Sequence, residues 1–120
     1  MLELYDTIEL FLFIFYFIHL RGKMQLNISG HHLDITPSLK QHTNEKLLKI
    51  KHHFDQVMNV NMILEVQKDV QTAEATIHVR GADLFAKAES HDMYTSIDKL
   101  ISKLDSQILK HKEKLHSHRG

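Results

Sequence analysis

The run Val60–Ala88, VNMILEVQKDVQTAEATIHVRGADLFAKA, decides the fold. Within it Val60, Met62, Leu64 and Val66, then Ala73, Ala75, Ile77 and Val79, then Leu84, Ala86 and Ala88 alternate with more polar neighbours. A period of two marks a half-buried strand, and three such runs in succession imply antiparallel hairpins. Gly81, between Arg80 and Ala82, supplies the positive backbone angle of a tight turn, whereas Asp69–Thr72 reads as a looser connection.

On the amino-terminal side, Thr36 followed by Pro37 is a helix start: a hydroxyl to cap free amides, then a proline pre-set for the first helical position. Leu39, Thr43, Leu47, Ile50, Phe54 and Val57 follow at spacings of three and four, which predicts an amphipathic helix from about Pro37 to Val57. Before it, Met24, Leu26 and Ile28 alternate with Gln25, Asn27 and Ser29, a short first strand that Gly30 ends. Beyond the three strands Asp92 opens a long helix, with Ile97, Leu100, Leu104, Ile108 and Leu115 on its buried face. The order predicts an α+β fold, β-α-β-β-β-α, in which a four-stranded sheet carries two helices packed on one face.

Residues 1–23 differ from this pattern. Leu10–Leu20 is almost wholly apolar and holds five of the nine aromatic residues. Eleven residues fall short of a bilayer span. Glu3, Asp6 and Glu9 where a signal peptide would be basic argue against a secretory signal. Met24 opens the patterned sequence, so the expectation is a hydrophobic extension over 1–23 with a misassigned start. Residues 24–115 would form the domain and 116–120 a flexible tail, fraying from about Lys110. A membrane-surface or partner-binding segment is the other reading of the extension.

The absence of cysteine removes disulfide scaffolds, thiol nucleophiles and cysteine-based zinc sites. Four scattered glycines give no phosphate-cradling loop, so no nucleotide cofactor is expected. The histidines come as His31-His32, His52-His53 and His116-Ser117-His118, none in a helical metal-binding spacing; solvated surface histidine is the default and no metal is expected. No serine sits in a nucleophile motif, and Asp98 and Asp105 read as solubilising charge, so no enzyme is expected.

The chain has 15 basic and 15 acidic residues, but their distribution matters more than their sum. Lys99, Lys103, Lys110 and Lys114 recur at four, seven and four on the last helix, and His42, Lys46, Lys49 and His53 at four, three and four on the first. Two such stripes on one side of a sheet would merge into a ridge able to track phosphates, against the plainer reading of a solvated face. Asp34, Glu65, Asp69, Glu74, Asp83 and Glu89 fall in strands and loops, so the molecule should be bipolar. Tyr94 and Phe85 are the few aromatics free to stack on bases, which points to backbone and shape recognition of structured RNA. Ten histidines after Met24, with an ordinary imidazole pKa of about 6.5, would tighten such binding on mild acidification.

The segments MQLNISG (24–30), DITPSLKQH (34–42), ATIHV (75–79) and DMYTSIDKLISKLDSQILKHKEKL (92–115) carry a resemblance. From Met24 to about His116 the chain resembles the short-form ribosome hibernation promoting factors, kin to the ribosome-associated inhibitor or protein Y and to the sigma-54 modulation proteins. The resemblance implies the same β-α-β-β-β-α fold and a non-enzymatic factor that binds 16S rRNA of the small ribosomal subunit where messenger and transfer RNAs pass. It also implies silencing of translation in stationary phase and pairing of inactive 70S ribosomes into 100S dimers, together with a small ribosome modulation factor. The RNA contacts it implies are Lys46 and Lys49 on the first helix, Lys99, Lys103, Lys110, Lys112 and Lys114 on the last, and Lys87 in the fourth strand as a lesser candidate. A cytoplasmic protein, monomeric when free, is implied, with no cofactor, membrane or small-molecule substrate. The acidic tail of the inhibitor relatives and the extra dimerising domain of long forms are missing, which favours dimer promotion. The first 23 residues have no counterpart in the family. A general structured-RNA-binding domain and a protein-interaction module are the competing classes.

Overall fold

A computed structural model of the chain describes residues 12, 24–54 and 58–117. Its elements are β1 (Met24–His31), α1 (Pro37–His53), β2 (Met58–Gln67), β3 (Val70–Val79), β4 (Ala82–Ser90) and α2 (Met93–Ser117). The sheet order is β1-β2-β3-β4. β1 pairs parallel to β2, as a strand must when a helix carries the chain back across the sheet, while β2, β3 and β4 form the antiparallel meander read from the alternation. This is the α+β architecture the element order predicts.

The alternation also sorts the two sheet faces. Met58, Val60, Met62 and Leu64 of β2, Ala73, Ala75 and Ile77 of β3, and Ala86 and Ala88 of β4 are buried under the helices. Four of the buried β3 and β4 positions are alanine, and these are the strands over which α2 lies. Short side chains there leave room for Ile97, Leu100, Leu104 and Ile108 of α2 to reach the sheet. From α1, Leu39, Thr43, Leu47, Ile50 and Phe54 are buried as their spacing predicts. The Thr43 hydroxyl donates to Leu39 O at 2.8 Å, so this polar group enters the core satisfied.

Both helix starts are capped, Thr36 as read and Asp92 by direct bonds beyond the favourable charge expected of it. Thr36 Oγ1 accepts from the Leu39 amide at 3.2 Å with Pro37 following. Asp92 Oδ2 accepts from the Thr95 amide at 3.0 Å and the Thr95 hydroxyl at 2.9 Å.

Several boundaries differ from the sequence reading. β1 does not stop at Gly30 but runs to His31, and the chain turns at His32, whose φ is 59°. Gly30 is there for space: a Cβ on it would collide with the backbone oxygen of Leu33. The β2–β3 connection is a two-residue turn at Lys68 and Asp69, with Lys68 at φ 56°, and Thr72 lies inside β3 opposite Glu65. Gly81, at φ 87°, turns β3 into β4 as expected. α1 ends at His53 because Phe54 is extended (φ −142°, ψ 110°) while its ring stays in the core; Val57 lies outside the described residues. α2 buries Met93 and Ile101 as well, but Leu115 is 36% exposed, and the helix continues to Ser117, past the expected fraying at Lys110. The expectations for residues 1–23, Leu12 apart, and for 118–120 fall outside the described residues. No described helix is long and apolar enough to cross a membrane.

Candidate RNA-binding surface

α1 and α2 lie side by side in the same direction. His42 of α1 meets Asp98 of α2 near their starts, and Phe54 meets His111 further on, with ring centroids 6.1 Å apart. The seam between them is not uniformly basic. His42 Nε2 donates to Asp98 Oδ1 at 2.8 Å, Lys46 Nζ stands 3.9 Å from the same oxygen, and the Tyr94 ring meets the His42 ring edge-on at 5.0 Å. Asp98 is therefore the anion against which α1 docks its basic edge, rather than simple solubilising charge.

The lysine stripe of α2 faces the other way. Lys103 Nζ donates to Lys87 O at 2.6 Å and Gln107 Nε2 to Phe85 O at 2.7 Å, both on β4. Those contacts place the Lys99, Lys103, Lys110 and Lys114 flank of α2 over the outer edge of the sheet, away from α1. The two basic stripes thus do not merge into one ridge along their length; the body of α2, with Asp98 on its inner flank, separates them. Lys112 falls on the α1 side of α2 by the same helical geometry. Covering the β4 carbonyls also shields an edge strand that would otherwise offer free pairing groups.

Lys87 is placed apart from the rest. In β4 the buried Ala86 and Ala88 face the helices, so Lys87 points to the open side of the sheet, opposite Glu74 of β3. That open face carries Glu65, Glu74, Asp83 and Glu89, with His78 Nδ1 donating to Asp83 Oδ1 at 2.7 Å, and Asn27 Nδ2 donating to Asn61 Oδ1 at 3.2 Å. Phe85 is 54% exposed among them. The helix side of the molecule therefore holds Lys46, Lys49, Lys99, Lys103, Lys110, Lys112 and Lys114, and the open side holds acids and one lysine. The bipolar arrangement expected from the sequence is present between the two layers.

The Asp98 seam and the covered β4 edge had no sequence signal, because their partners lie 56 and 16 residues apart and neither spacing is periodic. Among the described residues no group of three or more histidines and carboxylates is gathered to hold a metal.

Residues 26–116 match the model of the family described as "Sigma 54 modulation protein / S30EA ribosomal protein". The ribosome hibernation promoting factor of Azotobacter vinelandii is 50% identical over 91 residues, covering 76% of this chain and 85% of that one. The factor of the same name from Escherichia coli K12 is 44% identical over 95 residues, 79% of this chain and the whole of that protein. Among solved structures, a ribosomal subunit interface protein from Coxiella burnetii superposes with a TM-score of 0.71 at 33% identity, over 75% of this chain and 99% of its own. The amino-terminal domain of Thermus thermophilus Protein Y, at 20% identity, shares the fold with a TM-score of 0.66, over 75% of this chain and 97% of that one.

Proposed function

We propose a function that proceeds from one premise: the chain belongs to the Sigma 54 modulation protein / S30EA ribosomal protein family. It is a ribosome-associated hibernation factor that regulates translation by binding, with no bond made or broken. The observation that carries this reading is the match, at 44% identity, to the entire length of a ribosome hibernation promoting factor.

The finer reading is that the domain occupies the decoding channel of the small subunit and excludes messenger and transfer RNA by volume. Size scaling of compact chains gives a radius of gyration of about 13 Å, a body about 33 Å across. The helix side faces 16S rRNA, through Lys46, Lys49, Lys99, Lys103, Lys110, Lys112 and Lys114, with Lys87 outside that surface and a lesser contributor. Affinity then arises from neutralised phosphates and released counterions, so it falls steeply with salt. The factor acts in the cytoplasm, is a monomer when free, and favours 100S pairing of inactive 70S ribosomes alongside a ribosome modulation factor. The basic charge on the helix layer and the opposite charge on the open sheet support this orientation.

The test is sucrose-gradient sedimentation of the protein with ribosomes at low and high salt, with and without the modulation factor. Co-migration with 30S, 70S or 100S particles that salt reverses is the expected result. A protein that stays at the top of the gradient at low salt contradicts the function, and equal binding to plain duplex RNA would favour a general RNA-binding domain.

A further inference from the structure

α2 is longer than anything it packs against among the described residues. α1, parallel to it, ends at His53, and Phe54 just beyond sets its ring against His111. On the sheet side the β3–β4 turn stops at the same level, where His111 Nε2 donates to Arg80 O at 3.2 Å. α2 nevertheless continues to Ser117, about 9 Å further at helical rise. Lys112, Glu113, Lys114, Leu115 and His116 are all exposed. Core burial on this helix ends with Ile108.

This projecting end has a charge layout that the rest of the helix layer lacks. Lys110 and Lys114 lie on the flank that faces β4 further up, and Lys112 lies about 200° round from each, on the flank that faces α1. Higher up, the body of α2 and Asp98 keep the two basic edges apart. Here cations stand on both sides of a single helix about 10 Å across, and Glu113 on the outward side is the one acid among residues 109–117. Cations in the last turn also offset the negative end of the helix dipole, which would otherwise repel an anionic partner.

We infer that residues 110–116 of α2 form a probe that lies across the wide, shallow minor groove of double-helical RNA, its lysines reaching phosphates on both strands. The inference rests on the helix layer being the RNA-facing side, and it names the RNA form that this end takes. A-form RNA presents a minor groove open enough for a helix and a major groove too narrow for one. Single-stranded RNA is disfavoured as the occupant, because residues 110–116 carry no Phe, Tyr or Trp on which bases could stack. The element is continuous with the Lys99 and Lys103 flank, so a duplex seated on it would meet the rest of the basic surface.

The test uses the full chain and K110Q/K112Q/K114Q, with circular dichroism to show that the helix is retained. Binding to a 20-base-pair RNA duplex, to its single strand and to small ribosomal subunits is titrated over a fourfold salt range. The wild type is expected to prefer the duplex, and the salt increase to weaken it about 40-fold more than the variant, from about three fewer phosphate contacts. If the variant has lost helix, a chain ended after His111 replaces it and carries the same expectation. A variant that binds duplex with wild-type affinity and salt dependence, or a wild type that binds single strand as well as duplex, overturns the probe. If both proteins still sediment with small subunits in that case, the ribosomal function stands without it. Duplex binding that the variant loses, with no subunit binding by the wild type, instead supports the probe and contradicts the ribosomal function.

Discussion

The two sides of one sheet have opposite tasks. The helix side joins the buried alternate residues of β2, β3 and β4 to two helices whose outer edges are lysine-rich. The open side is built from the intervening residues of the same strands, and it carries Glu65, Glu74, Asp83 and Glu89, while α1 and α2 both lie on the other side. Because successive strand residues point to opposite faces, a one-residue slip in register would exchange the sides and place acids in the core. The charge separation is a consequence of packing: the helices that seal the core also hold the cations, so the core and the basic surface lie on the same side of the sheet.

The largest expected effect is on stability. Leu104→Ala, under α2 at full burial, should cost about 2 to 5 kcal/mol by denaturant unfolding, whereas Phe85→Ala on the open face should cost about 0.5 kcal/mol. Equal costs would mean that the open face is covered in solution. Gly30→Ala comes next, at about 2 kcal/mol, since the new Cβ meets the Leu33 carbonyl and not a side chain able to move. K46Q/K49Q should leave the melting temperature nearly unchanged and reduce the salt dependence of small-subunit binding by about tenfold over a fourfold salt increase. Lys103→Ala differs from these two, because its ammonium also holds the Lys87 carbonyl at the β4 edge; it should lower stability by about 1 kcal/mol as well as affinity. Smallest of all, Asp98→Asn should weaken folding by less than about 1 kcal/mol, as its pairs are half exposed, and strengthen RNA binding by freeing Lys46. Weaker RNA binding in that variant would make Asp98 a positioning residue for the basic edge of α1.

What was legible in the sequence follows from periodicity. Leu39, Leu47, Ile50, Phe54, Ile97, Leu100, Leu104 and Ile108 all stand in the core because their spacing alone places them on one helix face. Thr36 was readable as a cap, and Asp92 as a helix start, because both signals are local to the first turn. Gly30 misled: a glycine after an alternating run reads as a turn, and only the close approach of Leu33 O explains it inside β1. The Lys68-Asp69 turn was missed because neither residue is glycine or asparagine, the usual occupants of a positive φ. Leu115 kept the core spacing, but burial needs something to pack against, and the sheet and α1 both stop before it. At the site, the lysines were visible one helix at a time. How the two stripes face depends on contacts between residues far apart in the chain, His42 with Asp98 and Lys103 with Lys87, and no single-helix pattern contains that information.

The measurement that tests the central claim most directly is salt-dependent binding to small ribosomal subunits by three proteins. These are the wild type, the helix-side variant K49Q/K99Q/K110Q and the open-side variant E74Q. The helix-side variant should lose affinity at low salt and show a slope shallower by about 3, while the open-side variant should bind as the wild type does. Equal loss in both variants, or a helix-side variant with an unchanged slope, would contradict the assignment of ribosome binding to the helix side.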